Sequence, residues 1–382
     1  MDFDSRSLQR IPSGSEAGFN HHSQPHTTWR SRLTPRDRWA KAAIAWATVQ
    51  LVVIIFLEAI VAKKHSDYHH ELEKATEGTT DAVRTALVAN ANALTIYHAL
   101  FIVAQAFQWV LVGDAVLTAS TIQMISTTVF NFALFGYSAL QFKQASDIGD
   151  TSNDIRAANL PAPHPTKTLE IIIILAMALF CIGWLVITQR LYRVFGWSVF
   201  KNLGADISVR RRLKLYHVYM MLLKLDVFFF FGFDIQYLVL VILAPSQNDS
   251  SLKYTHGLVA MPLTLVLLVL AFVAIRRESR VLMTATLLGL SGAIGYLMAK
   301  LVDVAQLGST SKYSGSRKSL TFFESLTLAL CVATFVIACL NFRNFGKGLK
   351  EQLNKARGRD LELDNIADRP GAQKEAPRWS LE

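Results

Sequence analysis

The sequence predicts an all-α fold, a polytopic transmembrane helical bundle of about eight spans, with seven as the alternative. Three observations carry this. Hydrophobic residues fill 52% of the 382 positions and charged residues only 18%, and the mean hydropathy is +0.29, a balance suited to lipid rather than water. The apolar residues gather in runs close to the ~20 residues that cross a hydrocarbon core. Short basic segments separate those runs, which is how multi-pass chains set their orientation; a net charge of +10 placed this way does not point to nucleic acid.

Residues 1–39 are rich in Ser, Pro, His and Arg without an apolar period, and they read as a disordered cytosolic tail. No signal peptide precedes the first run, at 40–62, which is tipped by Trp39 and Trp46 and stopped by Lys63-Lys64. Residues 63–91 read as a polar loop. His65 and His69 there have a metal-ligand spacing on a helix, but nothing fixes a third ligand, so no metal and no cofactor are expected.

The apolar region 92–139 is too long for one span, and Gly113-Asp114 suggests a turn between two. His98, Gln105, Gln108, Gln123 and Asn131 are side chains that hydrogen-bond between helices in lipid. Three prolines, Pro161, Pro163 and Pro165, close the next loop before a fourth span at 168–188. Residues 189–214 mix Arg and Lys with Leu191, Tyr192, Phe195, Trp197 and Phe200, and suit a segment lying on the membrane surface. Its end, Arg210, Arg211, Arg212 and Lys214, is a cluster suited to anionic lipid.

The fifth span, 215–243, contains Lys224, Asp226 and Asp234 in an otherwise apolar run. A charge at membrane depth costs roughly 2.5–3.5 kcal/mol on insertion scales, so each needs a partner, a wet cavity or a route to the interface. At about 100° per residue, Lys224 and Asp226 fall on different faces. Asp226 shares its face with Tyr219 and Tyr237, while Lys224 shares another with His217. The span is therefore central. Lys224 is placed within snorkelling reach of the cytosolic interface, and Asp234, beyond Gly232, is nearest the midplane and the strongest candidate for an ion- or proton-coupled group.

Asn248-Asp249-Ser250 is the chain's single N-glycosylation sequon. A sixth span follows at 257–275, a seventh at 281–301 and an eighth at 320–342, the seventh carrying Gly289, Gly292 and Gly295 for close helix approach. Glu58, Glu170, Asp303 and Glu324 fall near span ends, where interfacial placement accounts for them. Residues 343–382 form a basic cytosolic tail with a disordered end. With both termini cytosolic, cytosolic segments hold 26 Lys and Arg against 11 opposite, which fits eight spans. The three cysteines lie inside apolar runs and form no disulfide or CxxC pattern.

No nucleophile elbow, phosphate loop or HExxH motif is present, so no enzyme activity is expected. Several strings carry a resemblance: Gly196-Trp197 with Phe200-Lys201-Asn202-Leu203-Gly204-Ala205-Asp206, Leu223-Lys224-Leu225-Asp226 followed by four Phe and Gly232-Phe233, and Asn344-Phe345-Gly346-Lys347-Gly348-Leu349. Over about residues 40–350 the chain resembles a fungal family of uncharacterised multi-pass Golgi apparatus membrane proteins. The resemblance implies a Golgi membrane location and a multi-pass architecture, and carries no activity. Two functions are then expected of such a chain: movement or sensing of a small solute or ion around the fifth span, or a scaffold or trafficking role through the basic loop and tail. The partners expected are the bilayer and anionic lipid.

Overall fold

The computed structural model describes residues 38–76, 82–155, 165–203, 207–243, 259, 261–306 and 314–346. Eight helices follow one another among them: α1 Arg38–Thr76, α2 Ala82–Leu117, α3 Thr121–Ile155, α4 Lys167–Leu203, α5 Ile207–Leu243, α6 Met261–Arg277, α7 Arg280–Gln306 and α8 Ser314–Phe342. Each carries all or most of one of the eight apolar runs. Five of them, α1, α2, α4, α7 and α8, are long and apolar enough to cross a membrane by length and composition alone. In α3 and α5 polar side chains such as Asn131, Gln141, Asp226 and Asp234 interrupt the run and are buried; the described part of α6 is 17 residues long. The fold is a polytopic helical bundle.

The helices form two rings of four. In the first, α1 packs on α2, α2 on α3, α3 on α4, and α4 closes on α1; α5 to α8 repeat the same order of neighbours. The rings meet where α2 and α3 face α5 and α8. The run of four Phe in α5 divides between them. Phe228 and Phe229 enter a core shared with the first ring, and Phe230 joins the core of the second. Ring stacking continues the seam, with Phe228 5.1 Å from Phe107 and Phe323 4.9 Å from Tyr137. Aromatic pairs of this geometry add about 0.5–1.5 kcal/mol beyond their burial. Outward-facing Val52, Phe56, Leu175, Ile182, Val266, Val281 and Leu288 are large, apolar and exposed, as a surface facing lipid requires.

Two described turns use one construction. Ala119 and Glu278 adopt left-handed backbone angles, φ 47° and 50°, and the next residue is a serine whose Oγ accepts from the following helix, Ser120 from the Gln123 amide and Ser279 from the Leu282 amide. A left-handed residue ends one helix and a serine begins the next. The α2–α3 turn is accordingly at 118–120 and not at Gly113-Asp114, which lies inside α2. Serine capping, not glycine, marks it.

Three other expectations are corrected. The polar stretch after Lys64 is not a loop: α1 continues to Thr76 and α2 begins at Ala82, because interhelical partners for Glu58 and His65 hold these ends in the bundle. Residues 189–203 are not a separate surface segment but a continuation of α4, with Arg190 over the Trp39 ring at 5.4 Å. Of the three glycines in α7, Gly289 serves close packing, since a Cβ there would lie 2.4 Å from Leu267, while Gly292 and Gly295 face open space. Phe345, in the turn after α8, is buried against the second ring.

Candidate functional site

Helix α5 sets the site because its polar residues leave it in different directions. Lys224 donates to Asp114 of α2, joining the two rings by an ion pair whose side chains are 30% and 39% exposed. The turn that sequence placed at Gly113-Asp114 is in fact the partner of Lys224. Asp226, fully buried, accepts a hydrogen bond from the Thr334 hydroxyl of α8. Tyr219 and Tyr237 are buried on the same face. Asp234, 3% exposed, turns into the second ring and lines a cavity of about 620 Å³ between α5, α6 and α7.

That cavity falls within the 300–1,000 Å³ of small-molecule sites. Phe230, Phe233, Leu263, Leu267 and Leu297 are among the apolar residues of its wall, and Gly292 also lines it. The polar atoms gather around Asp234, Tyr237, Tyr296 and Lys300. The Lys300 ammonium donates to the Tyr237 hydroxyl at 3.0 Å and pairs with Asp303 at 3.5 Å. It also sits 5.0 Å from the Tyr237 ring centroid. Glu324 of α8 is fully buried nearby, and neither of its carboxyl oxygens has a hydrogen-bond partner among the described residues.

Within the first ring, two polar networks lie among the apolar clusters. In one, the Gln50 amide donates to Asn131 at 2.7 Å and to Gln105 at 3.0 Å, and the Trp184 indole donates to Gln50 at 2.7 Å. Gln108 also donates to Asn131, at 2.9 Å. Four helices are tied through one buried amide, a use of polar groups that hydrocarbon surroundings favour. In the other, His98 pairs with Glu58 at 2.7 Å and His65 with Glu170 at 3.1 Å, and the two imidazoles stack 5.1 Å apart. Lys64 caps the group by donating to the Pro165 carbonyl.

Sequence reasoning missed the second network. Glu58 and Glu170 are buried within the bundle and paired with histidines, which their place near span ends does not reveal. The signal existed, an ionisable residue in an apolar run, but Lys63-Lys64 read as the end of the span. His65 is likewise drawn inward, away from His69, whose ligand atoms gather instead with those of His70 and Glu73 on the outer turn. In the basic cluster, Arg211 and Lys214 are exposed and Arg212 is half-buried; the Arg210 side chain and Asn248 lie outside the described residues.

Helix number, lipid-facing surface and buried polar interior together define a multi-pass α-helical membrane protein. Compared with known proteins, the chain is 27% identical over 283 residues to a UPF0658 Golgi apparatus membrane protein of Schizosaccharomyces pombe, covering 68% of this chain and 78% of that one. No protein-family model and no solved structure matches. The alignment supports the resemblance read from the motifs: the chain is a multi-pass membrane protein similar to a protein of the Golgi apparatus membrane.

Proposed function

We propose that the protein moves or senses a small solute or ion, with the cavity between α5, α6 and α7 as its binding site and Asp234 as the charge presented to the ligand. The observation that carries this is a carboxyl group, deep in an apolar helix, lining a cavity of ligand size. Asp226, in the same helix, is held by Thr334 and does not line the cavity. A solute-coupled site in lipid needs an ionisable group with access to the ligand. The test is Asp234→Asn in cells. It is expected to change solute flux or lumenal pH while protein level stays normal, and unchanged flux at normal abundance overturns the reading.

A second reading rests on the exposed Arg211 and Lys214 at the start of α5. Each such charge contributes about 1 kcal/mol toward an anionic leaflet. They suit recruitment of anionic lipid or acidic partners, and this function is compatible with the first.

A further inference from the structure

We propose that His69, His70 and Glu73, on the last turns of α1, bind a divalent transition-metal ion, at a site independent of the cavity between α5, α6 and α7. The donor atoms of these three side chains all lie within 4.8 Å of one another. Sequence spacing pairs His69 with His65, but His65 turns inward to Glu170. The fold supplies His70 and Glu73 in its place.

Burial on the inner face holds this turn in position. Tyr68 and Leu72, which flank the two histidines, are buried in a cluster with Ala91 and Leu94 of α2 and Ile148 of α3. The rotation of α1 is thereby fixed, with His69 half-buried and His70 and Glu73 exposed. Residues three and four apart are neighbours on a helix surface, which brings Glu73 to both imidazoles. At 1.5 Å per residue, His69 stands about 10 Å along the axis beyond Ala62, where the apolar run ends. The three ligands therefore meet water and dissolved ions, not hydrocarbon.

The spacing suits an ion better than a direct bond. His70 Nδ1 and a Glu73 carboxylate oxygen are 3.8 Å apart, too far for a hydrogen bond. Two bonds of about 2.0–2.2 Å to a shared ion, bent at the ion, span such a gap. The His69 and His70 rings are tilted by 67° with centroids 5.4 Å apart, whereas His65 and His98 stack at 13° and each pairs with one glutamate. An exposed His–Glu pair by itself stabilises little and leaves His69 out of account. One ion engages all three side chains and keeps its other coordination positions open to water. Two imidazoles and one carboxylate suit zinc and its neighbours in the first transition row; magnesium and calcium take oxygen ligands.

The test uses the full chain purified in detergent through a tag without histidine, stripped of metal and titrated with zinc chloride against a chromophoric chelator. Wild type is expected to bind zinc saturably and to melt at a higher temperature with zinc than without. His69→Ala/His70→Ala is expected to abolish that binding. Glu73→Gln, on an exposed side chain, is expected to weaken it at least about tenfold, since even an outer partner of a metal ligand is worth that much, and to melt as wild type without metal. His21→Ala/His22→Ala/His26→Ala, in the amino-terminal segment, is expected to bind as wild type. Magnesium chloride at about a hundredfold excess is expected not to displace zinc. Zinc binding unchanged in both His69→Ala/His70→Ala and Glu73→Gln, binding lost with the amino-terminal histidines, or no saturable binding by wild type overturns the site. Loss with His69→Ala/His70→Ala but not with Glu73→Gln overturns the part given to the carboxylate, and displacement by magnesium overturns ligation by the imidazoles.

Discussion

At Lys224 and at Glu58 the same side-chain chemistry has different energetic weight, because burial differs. The Lys224–Asp114 pair is partly exposed, so water and headgroups compete for both charges and the pair contributes about 0–1 kcal/mol. The Glu58–His98 pair is 1% exposed on both sides. Removing Glu58 takes the short hydrogen bond from a buried imidazole, an effect of about 1–3 kcal/mol. Glu58→Ala is therefore expected to lower the thermal unfolding temperature in detergent more than Lys224→Ala. Equal shifts in the two variants would refute the distinction. Sequence alone gave Lys224 the greater prominence because it lies mid-run, whereas Glu58 stands beside two lysines. Depth inside a bundle depends on how far a helix continues past its apolar core, and that depends on partners elsewhere in the chain.

Between elements, close approach is decided by single positions. A Cβ on Gly183 of α4 would lie 2.2 Å from the Trp46 ring of α1, and the tryptophan is packed edge-on against Phe180. Gly183→Ala is expected to destabilise by about 1–3 kcal/mol through overpacking. Gly136 in α3 has nothing within 4 Å of an added Cβ. There, Gly136→Ala is expected to be neutral or to stabilise by up to about 1 kcal/mol, since alanine suits a helix interior better. Paired melting curves of the two variants check both signs. Glycine spacing in α7 was legible, yet which glycine packs and which opens a cavity was not. Rotation of α7 against α6 settles that, and sequence spacing sets only the relative directions of the three.

Two rings of four helices share an aromatic seam, and among the described residues polar ties such as Lys224 to Asp114 and Tyr137 to Ser319 join them. One ring is tied by buried amides and His–Glu pairs; the other contains the cavity between α5, α6 and α7. The division suits a rigid frame beside a binding unit. The asymmetry of basic residues, 26 against 11, predicts both termini on the cytosolic face. In intact Golgi vesicles, tags on either end are expected to be lost to added protease without detergent. Protection of one tag would mean an odd number of crossings.

Apolar runs of membrane length, the basic segments between them and the charges within α5 were enough to determine the fold class and the eight described helices, and to single out Asp234 as a candidate. These follow from local composition, because lipid constrains each span independently of its neighbours. Tertiary structure alone decided the rest: that Lys224 meets Asp114, that Asp226 is held by Thr334, that Glu58 and His98 are interior, and that Asp234 faces a cavity. Each depends on residues far apart in the chain, 40 or more positions for the three pairs, being brought onto facing helices. Helical periodicity gives the direction of a side chain on its own helix, but which helix stands opposite is a property of the packed bundle.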